Sequence, residues 1–288
     1  MRINSSGERI FHYINTILLS IMGFVAIAPL VAVVSTSFSS SSAVDLNKVS
    51  FWPVGFTLDS WKFIVFRQDL WKSFGLTVAV TFIGITLSLL ITALFAYPLS
   101  KKEFKLGRII MIAVVVTMVF KAPIIPYFLT VRGLGLYNNA LVLILPHILT
   151  AYNLVIMRTF FRQIPAELEE AAIIEGCGYF QVLFRIIIPS SKAVLATLGL
   201  FYGVMLWNQF QHPLFFLQDP DLFPLQMKIR QYIVNNELSI DAPMADVNYN
   251  ERTLKAATIV FAIVPIIMAY PYLQKYFVKG AMIGAVKG

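Results

Sequence analysis

Three carboxylates, Glu167, Glu169 and Glu170, follow closely on Pro165, and Gly176, Gly178 and Pro189 come after them in a short stretch between two very apolar runs. No nucleophile, acid–base pair or metal-ligand spacing accompanies them. They can form ion pairs and dock against another surface, but they cannot make or break a bond. Pro165 suits the first turn of a helix because its missing N–H has no intrahelical partner there, and the carboxylates favour the positive end of the helix dipole. Leu168, Ala171, Ala172 and Glu175 fall at three- and four-residue spacing on one face. Gly176 and Gly178 let the chain turn at little steric cost. A second run aligns Phe180, Leu183, Phe184 and Ile187, and Pro189 ends it as a regular helix. Two short helices at an angle are expected over 161–193.

The second set of chemically capable residues lies inside the apolar runs. A charged side chain at the centre of a bilayer costs roughly 2.5–3.5 kcal/mol and therefore tends to face a cavity. Lys121 is such a residue, with Pro123 and Pro126 just beyond it to interrupt helical hydrogen bonding. Tyr202, Trp207, Asn208, Gln209, Gln211 and His212 combine aromatic faces with hydrogen-bond donors and acceptors, a mixture suited to sugars. Asn153 and His147 lie in another apolar run. Interhelical hydrogen bonding is the structural alternative for each of them.

The elements that must position these groups are helices in a membrane. The chain is 58% hydrophobic and 13% charged, which excludes an ordinary soluble domain. Its formal charge of +8 lies just outside apolar spans without aromatic interleaving, so nucleic acid is not an expected partner and membrane lipid is. Six segments are long enough to cross about 30 Å of hydrocarbon: 14–35, 74–99, 109–131, 140–160, 194–217 and 254–277. The first exceeds the ~7–15-residue core of a secretory signal and is expected to be a retained span. An all-α, multi-pass membrane protein of one domain follows, with outer loops over 36–73 and 218–253.

Orientation follows from the short loops. The loop from Lys101 to Arg108 carries four basic residues, and that from Arg132 to Asn139 carries one, so the former is cytoplasmic by the positive-inside rule. The Glu170 hairpin is then cytoplasmic too, as are both termini. In the outer loops, Trp52, Trp61 and Trp71 predict an interfacial helix between Phe51 and Lys72. The Asp- and Asn-rich segment 231–250 is built to meet a soluble partner. Lys121, Arg132, His212, Lys228 and Arg230 favour an anionic solute. The single Cys177 has no disulfide or metal companion within the chain. No Gly-rich phosphate loop, paired zinc histidines or Gly-x-Ser-x-Gly elbow is present, so the chain is not expected to be an enzyme.

The order Glu170-Ala171-Ala172, three residues, Gly176, nine residues, then Ile186-x-aliphatic-Pro189 resembles the coupling loop of permease subunits in ATP-binding-cassette (ABC) importers. The turn from Gly133 to Asn139, the stretch from Asn153 to Phe161, the Trp207-Asn208 pair and the tail from Gly280 to Gly288 are similar to the carbohydrate branch of type I importer permeases. Within that branch the chain is most similar to second-subunit permeases for oligosaccharides and polysaccharide fragments, including alginate and rhamnogalacturonan. The resemblance implies a type I permease fold of six transmembrane helices in the bacterial inner membrane. It also implies a heterodimer with a companion permease, two cytoplasmic ATPases holding ATP and Mg, and an extracytoplasmic solute-binding protein. By the same resemblance Glu170, Ala171, Ala172, Gly176, Ile186 and Pro189 meet the ATPase. Lys121, Asn153, Tyr202, Trp207, Asn208, Gln209 and His212 are expected along the solute path, and Asn235, Asn236 and Asp241 against the binding protein. Cys177 stands where the family commonly has Ala. An ion-coupled secondary transporter would instead show inverted repeats and acidic residues within its spans, and none of the 15 acidic residues lies in one. An uncoupled channel or assembly protein would have no use for the hairpin.

Overall fold

Long apolar runs become long helices here because a bilayer leaves each backbone N–H and C=O to be satisfied within its own segment. The structure, a computed structural model, describes residues 6–234 and 249–285, with the side chains of the last helix described through Met268. In chain order the α-helices are α1 (Ser6–Ser37), α2 (Ser41–Asp45), α3 (Asp59–Val65), α4 (Gln68–Ser100), α5 (Gly107–Val119), α6 (Ile124–Gly133) and α7 (Ala151–Phe161). They continue as α8 (Ala166–Ile174), α9 (Tyr179–Val182), α10 (Ile188–Ser190), α11 (Lys192–Trp207), α12 (Gln211–Phe216), α13 (Leu225–Val234) and α14 (Glu251–Ala285). No strand occurs among the described residues.

Among the described residues two helical stretches are long and apolar enough to cross a membrane unaided, Arg9–Ser37 and Gln68–Ser100. Three bent pairs meet the same length and apolarity together: α5 with α6, the 3-10 stretch Ala140–His147 with α7, and Tyr179–Ser190 with α11. The expected segments 14–35, 74–99 and 254–277 lie inside α1, α4 and α14. The segment 109–131, where Pro123 and Pro126 are expected to interrupt the helix, is sharply bent. α5 stops at Val119, Phe120 is extended, and α6 leaves at 119° to α5. Pro123 supplies no N–H for the ladder and disfavours a helical Ala122, so the helix ends at this point. The segment 194–217 is likewise divided, with α11 ending at Trp207 and α12 beginning at Gln211.

The chain groups into two packed units, Met1–Gln68 with Ile229–Ile266, and Asp69–Lys228 with Ile267–Gly288. In the first, Phe38 stacks on Phe56 and Trp61, and the Trp61 indole donates to Ser37 Oγ at 3.3 Å. Asn250 Nδ2 donates to Asp45 Oδ1 at 2.7 Å, tying the start of α14 to the end of α2. Between Phe51 and Lys72, where a helix is expected, the chain forms α3.

The second unit is organised by a row of small residues on α4. Gly84, Ser88, Thr92, Ala96 and Ser100 recur every fourth position and are all buried. Small side chains let helix backbones approach closely where lipid supplies no hydrophobic drive between helices. A Cβ on Gly84 would come within 2.5 Å of Leu206 Cδ1 of α11. One apolar core joins Ala93, Ala96, Tyr97 and Leu99 to Leu154, Met157 and Phe161 of α7, to Val194 and Leu198 of α11, and to the 161–193 hairpin.

Candidate functional site

The hairpin is built as its residues dictate. α8 starts directly after Pro165 and stops where Gly176 takes φ +87°. The Gly176 N–H donates to Ile173 O at 2.9 Å, and the Cys177 N–H reaches back to Ala172 O at 2.9 Å. These two bonds are the Schellman closure, which satisfies carbonyls that a helix end leaves orphaned and asks for glycine at the left-handed position. The next helix is opened by the Gly178 N–H donating to Gln181 Oε1 at 3.0 Å. Leu183–Ile187 then widen into a π-helical turn. Pro189 removes a donor from the regular ladder just there, and a π turn is one way to accommodate the loss.

The hairpin has two chemically distinct sides. Ala172, Val182, Leu183 and Ile187 are buried in the core shared with α4, α7 and α11, and Ile186 and Cys177 pack against it. On the other side Leu168, Ile173, Ile174, Tyr179, Phe180 and Phe184 are exposed, with Ile174 at 86% and Phe180 at 71%. Glu170, Ala171, Gly176 and Pro189 are exposed as well. Leu168, Ala171, Ala172 and Glu175 keep the spacing of one helix face, but its burial is uneven, with Ala172 buried and the other three exposed. The stripe expected for Phe180, Leu183, Phe184 and Ile187 divides in the same manner, with both phenylalanines outside.

Glu169, which no spacing argument singles out, fastens this element to the membrane helices. Tyr97 Oη of α4 donates to Glu169 Oε1 at 2.5 Å, and Lys101 Nζ pairs with Glu169 Oε2. Lys101 also lies 4.6 Å from the centroid of the Tyr97 ring. Burial pulls the Lys101 ammonium below its ordinary pKa, and neighbouring Glu103 pulls the other way. Arg158 of α7 adds a bond from Nε to Leu99 O at 2.7 Å. A carboxylate held by a phenol and an ammonium ties α8 to the end of α4. No pattern within the hairpin contains this, but Tyr97 and Lys101, four apart at the end of a span, carry a signal that a carboxylate is needed nearby.

Deeper in the second unit, Tyr202 is fully buried and lies at the centre of a hydrogen-bond chain. The Thr150 N–H donates to Tyr202 Oη at 3.3 Å, Tyr202 donates to Thr92 Oγ1 at 2.8 Å, and Thr92 donates to Ser88 O at 2.6 Å. That chain joins α11, the start of α7 and α4. Asn153 is buried in the first turn of α7, where its N–H meets the Thr150 cap at 3.4 Å. Gln209 is buried and donates from Nε2 to Leu143 O at 3.1 Å, and the exposed Asn208 donates from Nδ2 to Val204 O at 2.9 Å. Trp207 packs edge-on against Phe74. His212 Nε2 lies 2.8 Å from Tyr127 Oη, and its ring is 4.7 Å from that of His147. His147 Nε2, His212 Nδ1, Trp207 Nε1 and Gln209 Oε1 have no hydrogen-bond partner among the described residues. They are buried polar atoms with unused hydrogen-bonding capacity, and Trp207, Gln209 and His212 among them belong to the expected path. Lys121 stands apart from them, exposed in the break between α5 and α6 and not inside a continuous span.

A family model described as the inner membrane component of binding-protein-dependent transport systems matches residues 88–282. The chain belongs to this family. It is 37% identical to protein LplC of Bacillus subtilis (strain 168), over 99% of this chain and 97% of that protein. It is 35% identical to the polygalacturonan/rhamnogalacturonan transport system permease protein YtcP of the same organism, over 98% and 99%. Among solved structures, a chain of a bacterial ABC transporter involved in the import of the acidic polysaccharide alginate superposes with a TM-score of 0.91 at 32% identity. That match covers 96% of this chain and 100% of the other. As a binding-protein-dependent permease, the chain is an inner-membrane subunit of an ABC importer and not an enzyme, and its system includes an ATPase and a binding protein. The permease residues expected at the binding protein, Asn235, Asn236 and Asp241, lie outside the described residues, as does the end of the tail, 286–288.

Proposed function

We propose that this permease carries an oligosaccharide or polysaccharide fragment into the cytoplasm by alternating access, as one half of a heterodimer with a companion permease. Two ATPases, which hold ATP and Mg, seat on the 161–193 hairpin, and both termini of the permease face them from the cytoplasmic side. The observation that carries the proposal is the two-sided hairpin. Its inner side is locked to α4 by Glu169, while its outer side presents Ile174, Tyr179 and Phe180 to a protein partner. Fully burying one such side chain contributes about 1.5–3 kcal/mol, so a cluster of them makes a firm seat. ATPase closure moves the hairpin, the hairpin moves α4, α7 and α11 with which it shares a core, and the helix bundle rocks between inward- and outward-open.

An acidic solute is supported by the polygalacturonan and alginate named for two similar proteins. Exposed Lys121 and Arg132 agree with it, whereas Lys228 is paired with Asp69 at 3.3 Å. The test is the ATPase rate of the assembled complex with binding protein, against matched neutral and uronate oligosaccharides. Stimulation by uronate oligomers is expected. Stimulation by neutral oligomers alone would refute the acidic solute, and none by either class would refute the sugar. Replacing Ile174 and Phe180 by Asp should abolish stimulation while leaving the permease inserted, and full stimulation in that variant would remove the hairpin from the coupling path.

A further inference from the structure

Six basic residues, Lys101, Lys102, Lys105, Arg108, Arg158 and Arg162, line a single pocket of about 640 Å³ where α4 ends and α5 begins. No acidic residue lines it. Lys101 is paired with Glu169, but Lys102, Lys105, Arg108 and Arg162 have no ion pair among the described residues. Six cations against the two carboxylates beside Lys101, Glu103 and Glu169, leave a net positive charge that an anion would offset. The rest of the wall is apolar and includes Phe104, Met111, Ile112, Val115 and Val116. It runs on into an exposed stripe along α5, formed by Ile109, Ile112, Val116 and Val119 at helical spacing. The 13 residues of α5 rise about 20 Å, enough to cross one leaflet of hydrocarbon. Positive charge at one end and a leaflet-long apolar track leading away from it match one class of molecule.

We propose that this pocket binds the headgroup of an anionic phospholipid of the cytoplasmic leaflet, with its acyl chains laid along α5. Basic pockets at the cytoplasmic ends of membrane helices hold such headgroups through several weak charge contacts, and the acyl chains add apolar contact. A soluble phosphate ester would use the cations and leave the track bare. None of its lining residues is among those expected along the solute path or named on the outer side of the hairpin.

Native mass spectrometry of the full-length chain in neutral detergent, titrated with phosphatidylglycerol and with phosphatidylcholine of the same acyl chains, tests the assignment. Phosphatidylglycerol should be retained about tenfold more strongly, or about 1.4 kcal/mol. The triple variant Lys102→Gln, Lys105→Gln, Arg108→Gln should lose that preference, and Ile112→Asp should weaken retention of both lipids. Should the variants fail to fold, raising the ionic strength on the unmodified chain should erode the preference alone. Inorganic phosphate at the same concentration should not displace the lipid. Equal retention of the two lipids, a preference untouched by the triple variant and by salt, or displacement by phosphate would each overturn the assignment. So would a crosslink from residue 112 to a companion protein chain in native membranes, which would put a protein where the lipid is assigned.

Discussion

Glu169 and Glu170 are neighbours with different jobs. Glu170 is exposed and free to meet another protein, whereas Glu169 is held by Tyr97 and Lys101. Removing the Glu169 carboxylate deletes charge-assisted bonds worth about 1.5–3 kcal/mol, and that loss falls on the joint between hairpin and span. Glu169→Gln is expected to raise amide exchange over 166–190 by tenfold or more and to lower stimulated ATP hydrolysis, with basal hydrolysis kept. Unchanged exchange in that variant would show that the apolar core alone holds the joint. Tyr202 teaches a related lesson. Its aromatic face and hydroxyl suit a sugar, yet the hydroxyl is spent between Thr150 and Thr92 in a fully buried setting. Residue type and spacing identify a capable group, and only the fold shows whether its capacity is already used.

At the scale of elements, the hairpin depends on one backbone conformation. Gly176 has φ +87°, and no atom lies within 4 Å of where its Cβ would be, so a substitution there meets backbone strain and no clash. Left-handed backbone costs an ordinary L-residue roughly 1–2 kcal/mol, and Asn tolerates it best. Gly176→Asn should therefore retain most stimulated hydrolysis while Gly176→Val loses most of it, with insertion equal in both. Equal loss in the two variants would mean that side-chain bulk at the ATPase seat, and not backbone geometry, decides. The start and stop of α8 were legible in Pro165 and Gly176 because helix ends obey local rules. The reversal after α5 was legible only as an interruption. Prolines state where a helical ladder stops, but the 119° change of direction depends on what the two halves pack against. The Glu169 anchor was hidden for a similar reason, since it joins residues 72 and 68 positions apart.

At the scale of the whole molecule, α1, α4 and α14 were readable from long apolar runs, because a membrane span must satisfy its backbone within itself. The small-residue row on α4 was not singled out from the sequence, because its fourfold spacing from Gly84 to Ser100 gains meaning only from the burial of that face. The transverse orientation has a built-in reporter in Cys177, the only cysteine, which lies half-buried on the hairpin. A membrane-impermeant maleimide should label it in inverted vesicles and not in intact cells, and seating of the ATPases should reduce labelling several-fold. Labelling from outside the cell would invert the assigned orientation. The π turn at Leu183–Ile187 bears on how such a chain tolerates length changes. It holds one residue more than an α turn, so a one-residue deletion there would close it to a regular turn, in which Pro189 has no N–H to give and its ring meets the carbonyl four residues back. The wide turn spreads its extra residue over about the same rotation as an α turn, so closing it would leave the flanking turns in phase, whereas a deletion in a regular stretch of helix would turn one side by about 100°. Val182 would stay in the core and Phe180 outside it, and the cost of the deletion would fall on Pro189. The π turn lets a proline sit at the joint between the part of the permease that grips and the part that moves without turning one against the other.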